Sequence, residues 1–116
     1  PPKGRSAATA AVVPPAVAAP GAGPDAERAA TFKSRGDKSM KVGGIAEARS
    51  FYERAAELGS ADAAFMLAQT YDPRELKRLG AVGTAADIAL ARTWYERAAA
   101  LGHRDGAARA ARLNVR

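Results

Sequence analysis

Apolar residues recur at spacings of three and four along most of the chain after residue 24. The spacing is clearest in residues 45–58, where Ala48, Phe51, Tyr52 and Ala55 share one face of a helix. No stretch alternates between apolar and polar residues over the length of a β-strand. The pattern therefore predicts an all-α fold.

Glycine and capping residues divide this pattern into five main helices. Gly59, for example, is suited to end one helix, and Ser60 is suited to cap the next. Residues 73–84 are less regular, and we predict a loop there with one short helical turn at residues 75–79. The predicted helices cover residues 25–41, 46–58, 61–71, 86–101 and 104–114.

Residues 1–24 differ in composition from the rest of the chain. They hold six of the seven prolines and no aromatic residue. Proline removes a backbone donor and disfavours helix in the residue before it, and no aromatic side chain is available to anchor a core. We therefore predict a disordered Pro/Ala-rich tail or linker, followed by a helical repeat domain over residues 25–116.

Two segments of the chain have nearly the same sequence. ARSFYERAAELG at residues 48–59 is followed, 43 residues later, by ARTWYERAAALG at residues 91–102. A period near 40 residues built from paired helices is typical of an α-solenoid, in which alanines allow close helix packing and aromatic rings fill the space between layers. The predicted repeat core consists of Ala48, Phe51, Tyr52, Ala55, Leu67, Tyr71, Ala91, Trp94, Tyr95 and Ala98.

The second copy of the repeat has the pattern of a known family. A helix rich in alanine and ending in tyrosine leads through a glycine loop to a Trp-Tyr-x-x-Ala-Ala-x-x-Gly helix. In this chain the pattern is carried by Ala64, Leu67, Ala68, Tyr71, Gly80, Gly83, Asp87, Ala91, Trp94, Tyr95, Ala98, Ala99 and Gly102. Over roughly residues 29–113 the chain resembles the Sel-1-like repeats, a subclass of the tetratricopeptide type. It departs from them at Ala68, where the family usually has glycine.

The resemblance implies a short α-solenoid of antiparallel helix pairs that acts as a non-catalytic protein-protein interaction or scaffold module. In such arrays the first helix of each pair lines a concave face, where extended or helical partners bind. We therefore expect a protein partner on that face, although the sequence does not identify it. The candidate binding residues are Lys33, Asp37, Met40, Phe65, Gln69, Asp105 and Arg112.

Phe65 is the most informative of these candidates, because the apolar residues on either side of it already define the buried face of its helix. Two interpretations stay open. The ring is either exposed and contacts the partner, or it is covered by residues 73–84 through Leu76 or Leu79.

The charge of the chain keeps an alternative function open. The formal net charge is +6, but acidic residues are interspersed with the basic ones, which is typical of a solvated helical surface. The alternative is an anion-binding module for an envelope polymer, a lipid headgroup or nucleic acid. Its basic C-terminal stripe would consist of Arg104, Arg109, Arg112 and Arg116.

The residue types needed for catalysis or metal binding are scarce. The chain has no cysteine and one histidine, His103, which lies at a helix junction where we expect it to cap a helix or face solvent. No serine lies in a nucleophile elbow, and no Walker-type phosphate loop is present. We therefore predict no enzymatic activity, no cofactor and no metal site.

Two further expectations concern assembly and origin. Roughly two and a half repeats are fewer than the three that solenoids usually need. A third hypothesis is therefore that the chain completes its stack by self-association. No apolar run is long enough to cross a bilayer, and the chain begins with Pro-Pro-Lys. We expect a soluble chain that forms the tethered periplasmic or envelope portion of a longer protein, and its abundance of alanine, arginine and glycine suggests a bacterial source.

Overall fold

The computed structural model describes residues 23–81 and 83–114, which form six α-helices with no β-strand among them. This confirms the predicted all-α fold. The predicted tail lies outside the described residues as far as residue 22, whereas Gly23 and Pro24 already belong to the first helix. The helices are α1 (Gly23–Lys41), α2 (Ile45–Glu57), α3 (Ala61–Tyr71), α4 (Pro73–Leu79), α5 (Ile88–Ala100) and α6 (Gly106–Asn114).

The helices pack in chain order as a short solenoid. The principal contacts join α1 to α2, α2 to α3, α3 to α5 and α5 to α6. The first pair is therefore α1 with α2, the second is α3 with α5, and α6 stacks on the second pair. The short α4 is inserted between the two helices of the second pair and contacts α3. Each helix buries its apolar face mainly against its immediate neighbours, as repeat arrays do.

The core is built mainly from alanine side chains around the rings of Tyr52 and Tyr95, which are fully buried. Eight of the ten predicted core residues lie buried. Phe51 and Tyr71 are only half-buried, and of the two Tyr71 packs against the buried core. One side of Phe51 faces a surface groove along α2, and Tyr71 is covered by the guanidinium of Arg49, 3.9 Å from its ring centre.

Helix α4 occupies part of the segment that the sequence predicted as a loop with one helical turn. Its first backbone donors are capped, because the Asp72 carboxylate accepts a hydrogen bond of 2.9 Å from the Arg74 N–H. Pro73 occupies the first turn, where its missing N–H costs nothing, and Gly80 ends the helix in the left-handed conformation.

Caps also set the starts of the last two helices slightly later than predicted. The Asp87 carboxylate accepts from the Leu90 N–H at 3.0 Å, so α5 begins at Ile88. The Nδ1 atom of His103 accepts from the Asp105 N–H at 3.1 Å, and α6 begins at Gly106. His103 is therefore a local cap, because its imidazole nitrogen takes the place of a side-chain oxygen at the start of a helix.

The packing of α1 on α2 depends on a glycine. Gly36 is buried, and a Cβ atom at this position would lie 2.6 Å from Cε1 of Tyr52, closer than carbon atoms can approach without a shift. The Tyr52 ring is fully buried and has little freedom to move aside. The absence of a side chain at Gly36 therefore lets the two helices pack around this ring.

An arginine joins the first pair to the second. The Nη2 atom of Arg49 on α2 donates to the carbonyl oxygens of Thr70 (2.5 Å) and Ala85 (2.8 Å), and its Nε donates to the Thr70 hydroxyl (3.3 Å). We call these bonds the Arg49 clasp. Arg92 occupies the equivalent position in the second repeat, but it forms no hydrogen bond or ion pair within residues 23–81 and 83–114. Leu113 stands where the second repeat would need a threonine hydroxyl.

Replacing Gly36 should destabilise the fold. For Gly36→Ala we expect the free energy of unfolding to fall by up to about 2 kcal/mol, because overpacking against Tyr52 costs about 1–3 kcal/mol and the helix-propensity gain offsets about 1 kcal/mol of that cost. Urea unfolding followed by circular dichroism measures this change. Ser34→Ala, at an exposed position of α1, is the control and should leave stability unchanged or slightly raised. A Gly36→Ala variant as stable as the parent would contradict this packing.

The two equivalent arginines should respond differently to the same substitution. Arg49→Lys should lower the free energy of unfolding by about 1–2 kcal/mol, because one ammonium group cannot replace three bonds from a part-exposed guanidinium. Arg92→Lys should change it by less than about 0.5 kcal/mol. The same urea titration compares both variants, and equal losses would show that the Arg49 clasp adds nothing specific to stability.

Candidate protein-binding surface

The α1 candidates form one connected group. The Nζ atom of Lys33 lies 3.0 Å from Oδ2 of Asp37, and both side chains are half-buried. Met40 is also half-buried and packs against the core. Only part of each side chain is therefore open to a partner, and the Lys33–Asp37 pair presents both charges together.

Each buried tyrosine donates to an aspartate of the preceding helical segment. The Tyr52 hydroxyl lies 2.6 Å from Oδ1 of Asp37, and the Tyr95 hydroxyl lies 2.7 Å from Oδ2 of Asp72. Burial raises the pKa of both hydroxyls well above its usual range, and the neighbouring carboxylate raises it further. The hydroxyls therefore stay protonated and hold the two carboxylates in place.

Phe65 is buried, with 8% of its surface exposed, so it is not an open contact for a partner. Its cover differs from the one that the sequence suggested. The His103 ring stacks on Phe65 with a centroid separation of 3.9 Å and an angle of 4°, and the Tyr95 ring lies 5.2 Å away. The guanidinium of Arg109 lies 5.2 Å from the centre of the ring. Polar and aromatic residues from α5, α6 and the turn between them therefore cover it.

The three remaining candidates differ in their exposure. Gln69 on α3 is half-buried, whereas Asp105 and Arg112 are exposed. The backbone N–H of Asp105, and not its carboxylate, forms the hydrogen bond to His103. The structure connects Phe65 to Arg112 indirectly, because Arg109 contacts Phe65 and lines the same cavity as Arg112.

This cavity lies between α4 and α6 and has a volume of about 220 Å³. It is lined by four arginines and two acids, with Leu113 as an apolar wall. We call it the arginine cleft. Its charged residues are Arg74, Arg78, Arg109, Arg112, Asp72 and Glu75.

Both acids of the arginine cleft already have partners. Glu75, whose side chain is 13% exposed, accepts from Arg78 at 2.6 and 3.1 Å and from Arg109 at 3.4 Å. Asp72 is buried and accepts from the Arg74 N–H and the Tyr95 hydroxyl. Within residues 23–81 and 83–114, the guanidinium groups of Arg74 and Arg112 form no hydrogen bond or ion pair. Positive charge is therefore in excess at the mouth of the cleft.

The predicted C-terminal stripe is only partly recognisable here. Arg109 is engaged by Glu75 and by the Tyr95 hydroxyl, Arg104 is exposed, and Arg116 lies outside the described residues. Arg112 faces residues of α4, which are not part of the predicted stripe. A signal for them was present, because Asp72 followed by Pro73 is a typical helix start.

Among residues 23–81 and 83–114, no group of three or more histidine, cysteine, aspartate or glutamate side chains is placed to hold a metal ion. Over the same residues, no helix combines the length and the apolar character needed to cross a membrane.

Comparison with known proteins identifies the repeat. The Sel1 repeat family profile matches residues 34–60 and 61–103, which together make up more than half of the chain. The first match covers the end of α1 and all of α2, and the second runs from α3 through α5 to His103. No curated protein and no solved structure matches the chain significantly. The two consecutive matches cover most of the two helix pairs and together more than half of the chain, which therefore belongs to the Sel1 repeat family.

Proposed function

We propose that this protein is a non-catalytic interaction module that holds a protein partner on the concave face of its helical array. The observation that carries the proposal is the tandem Sel1 match over both helix pairs. Sel1 repeats are generally protein-protein interaction modules, and the family consists of non-catalytic scaffolds. In arrays of this type the first helices of successive pairs, here α1, α3 and α6, line the binding face.

The exposure of the candidate residues supports a polar interface. Phe65 is covered, so recognition relies on Gln69, Asp105, Arg112 and the Lys33–Asp37 pair, with the open part of Met40 as an apolar contact. Charged and polar contacts of this kind favour specificity and fast association over high affinity. We therefore propose a partner that is held moderately tightly and released by high salt.

The alternative function, anion binding by the basic C-terminal stripe, has less support than protein binding. Arg109 is already paired with Glu75, and Arg104 is not among the residues that line the arginine cleft. Nucleic acid or polymer binding usually requires a continuous row of free basic groups. We also propose that residues 25–116 form the interaction domain and that the protein is bacterial, as its composition suggests. Self-association is an additional mode of interaction, which light scattering at several protein concentrations would measure.

The binding face can be tested by a matched pair of double variants. The full chain is immobilised and exposed to extract of cells that express it, and retained proteins are quantified by mass spectrometry. Gln69→Arg/Asp105→Arg changes the proposed face, and Thr93→Arg/Glu96→Arg makes the same change in charge at exposed positions of α5. Loss of a hot-spot contact should lower partner retention by at least about tenfold for the first variant.

The control variant should retain the partner within about twofold of the parent, since exposed positions away from an interface contribute little. Circular dichroism of both variants checks that the fold is intact. Equal retention by the parent and by Gln69→Arg/Asp105→Arg would place the partner elsewhere. Equal loss in both variants would show that net charge, and not the concave face, determines binding.

A further inference from the structure

We infer that the arginine cleft binds carboxylate side chains in an acidic segment of a protein partner. The inference rests on the proposed function, because it assigns a chemical class to a partner of that same surface. Arg112, one of the concave-face candidates, lies in the cleft, which therefore borders the proposed binding face.

The charge of the arginine cleft favours a ligand with about two negative charges. Four guanidinium groups face two carboxylates, which leaves an excess of two positive charges. The carboxylates of Asp72 and Glu75 are engaged from within the protein, whereas the guanidinium groups of Arg74 and Arg112 have no hydrogen-bond or ion-pair partner within residues 23–81 and 83–114. Two carboxylate side chains of a partner would neutralise them.

The size and shape of the cleft favour a side chain over a larger molecule. Its volume of about 220 Å³ is below the range of roughly 300–1,000 Å³ that is typical of small-molecule sites. Guanidinium groups bind planar carboxylates through two parallel hydrogen bonds. Leu113 and the aliphatic stems of the arginines form an apolar wall along which the methylene groups of a glutamate can pack.

Two of the four arginines of the cleft are held in place before any ligand arrives. Arg78 is fixed by two hydrogen bonds to Glu75, and Arg109 is fixed by Glu75, the Tyr95 hydroxyl and the Phe65 ring. The backbone of Arg74 is set by its bond to Asp72. Fewer side chains must therefore be ordered on binding, which lowers the entropic cost of recognition.

The two acids in the wall argue against phosphate as the occupant. A phosphate monoester carries nearly two negative charges on one group and would sit close to both Asp72 and Glu75. Two separate carboxylates can instead each approach one unpaired arginine at the mouth. A nucleic acid backbone would need a row of free cations, whereas Arg78 and Arg109 are already paired.

The test uses the full chain and a fluorescein-labelled peptide of alternating glutamate and serine, with binding followed by fluorescence anisotropy at about 0.15 M salt. Arg74→Ala/Arg112→Ala removes the two unpaired guanidinium groups. Arg35→Ala/Arg97→Ala removes the same charge from exposed positions that neither line the cleft nor belong to the C-terminal stripe, and serves as the matched control. All four arginines are exposed, and circular dichroism checks that each variant folds as the parent does.

We expect the affinity for the peptide to fall by at least about tenfold in the cleft variant and by less than about threefold in the control, because hydrogen-bonded charge pairs contribute more than general charge. A peptide in which glutamine replaces glutamate should not bind measurably. In NMR spectra of the parent chain, the side-chain Nε–H signals of Arg74 and Arg112 should shift on titration with the glutamate peptide.

Three outcomes would overturn the inference. Equal losses in the cleft and control variants would show that the chain attracts acidic peptides only through its net charge. Stronger competition by inorganic phosphate or an oligonucleotide than by a free glutamate peptide would assign the cleft to phosphate. Absence of peptide binding, with partner capture still sensitive to Gln69→Arg/Asp105→Arg, would remove the acidic-segment inference and leave the proposed function standing.

Discussion

In each helix pair a buried tyrosine of the second helix packs against the first and donates its hydroxyl to an aspartate in the preceding segment. Tyr52 fills the space left by Gly36 and bonds Asp37, while Tyr95 packs beside Phe65 and bonds Asp72. A buried hydroxyl without a partner would be costly, so ring and aspartate must be placed together. The spacing of the helices within each pair follows from this requirement.

The second of these contacts connects the core to the proposed binding surface. Asp72 accepts from Tyr95 and also caps α4, which brings Glu75 to the side of Arg109. Arg109 in turn covers Phe65 and donates to the Tyr95 hydroxyl. The buried aromatic residues and the wall of the arginine cleft are therefore connected by one continuous set of contacts. The proposed binding surface is therefore connected directly to the packing of the repeat.

The main helices and the repeat could be predicted from the sequence. Apolar residues at spacings of three and four indicate the buried face of each helix, and the near-identity of residues 48–59 and 91–102 indicates the repeat. The cover of Phe65 could not, since the residues over it are a histidine and an arginine, which a hydrophobic pattern does not count as cover. The Arg49 clasp was also missed. It joins residues far apart in sequence, and only the stacking of the pairs brings Thr70 and Ala85 within reach.

The Arg49 clasp has a consequence for how the array opens. Because Arg49 on α2 holds both the end of α3 and the segment that leads into α5, separating α5 from its neighbours also breaks bonds made by the first pair. Repeat arrays behave as chains of units coupled to their neighbours, and a bond that spans the boundary strengthens this coupling. We therefore expect the two pairs to open as one cooperative unit, with their backbone amides becoming accessible to exchange together instead of repeat by repeat.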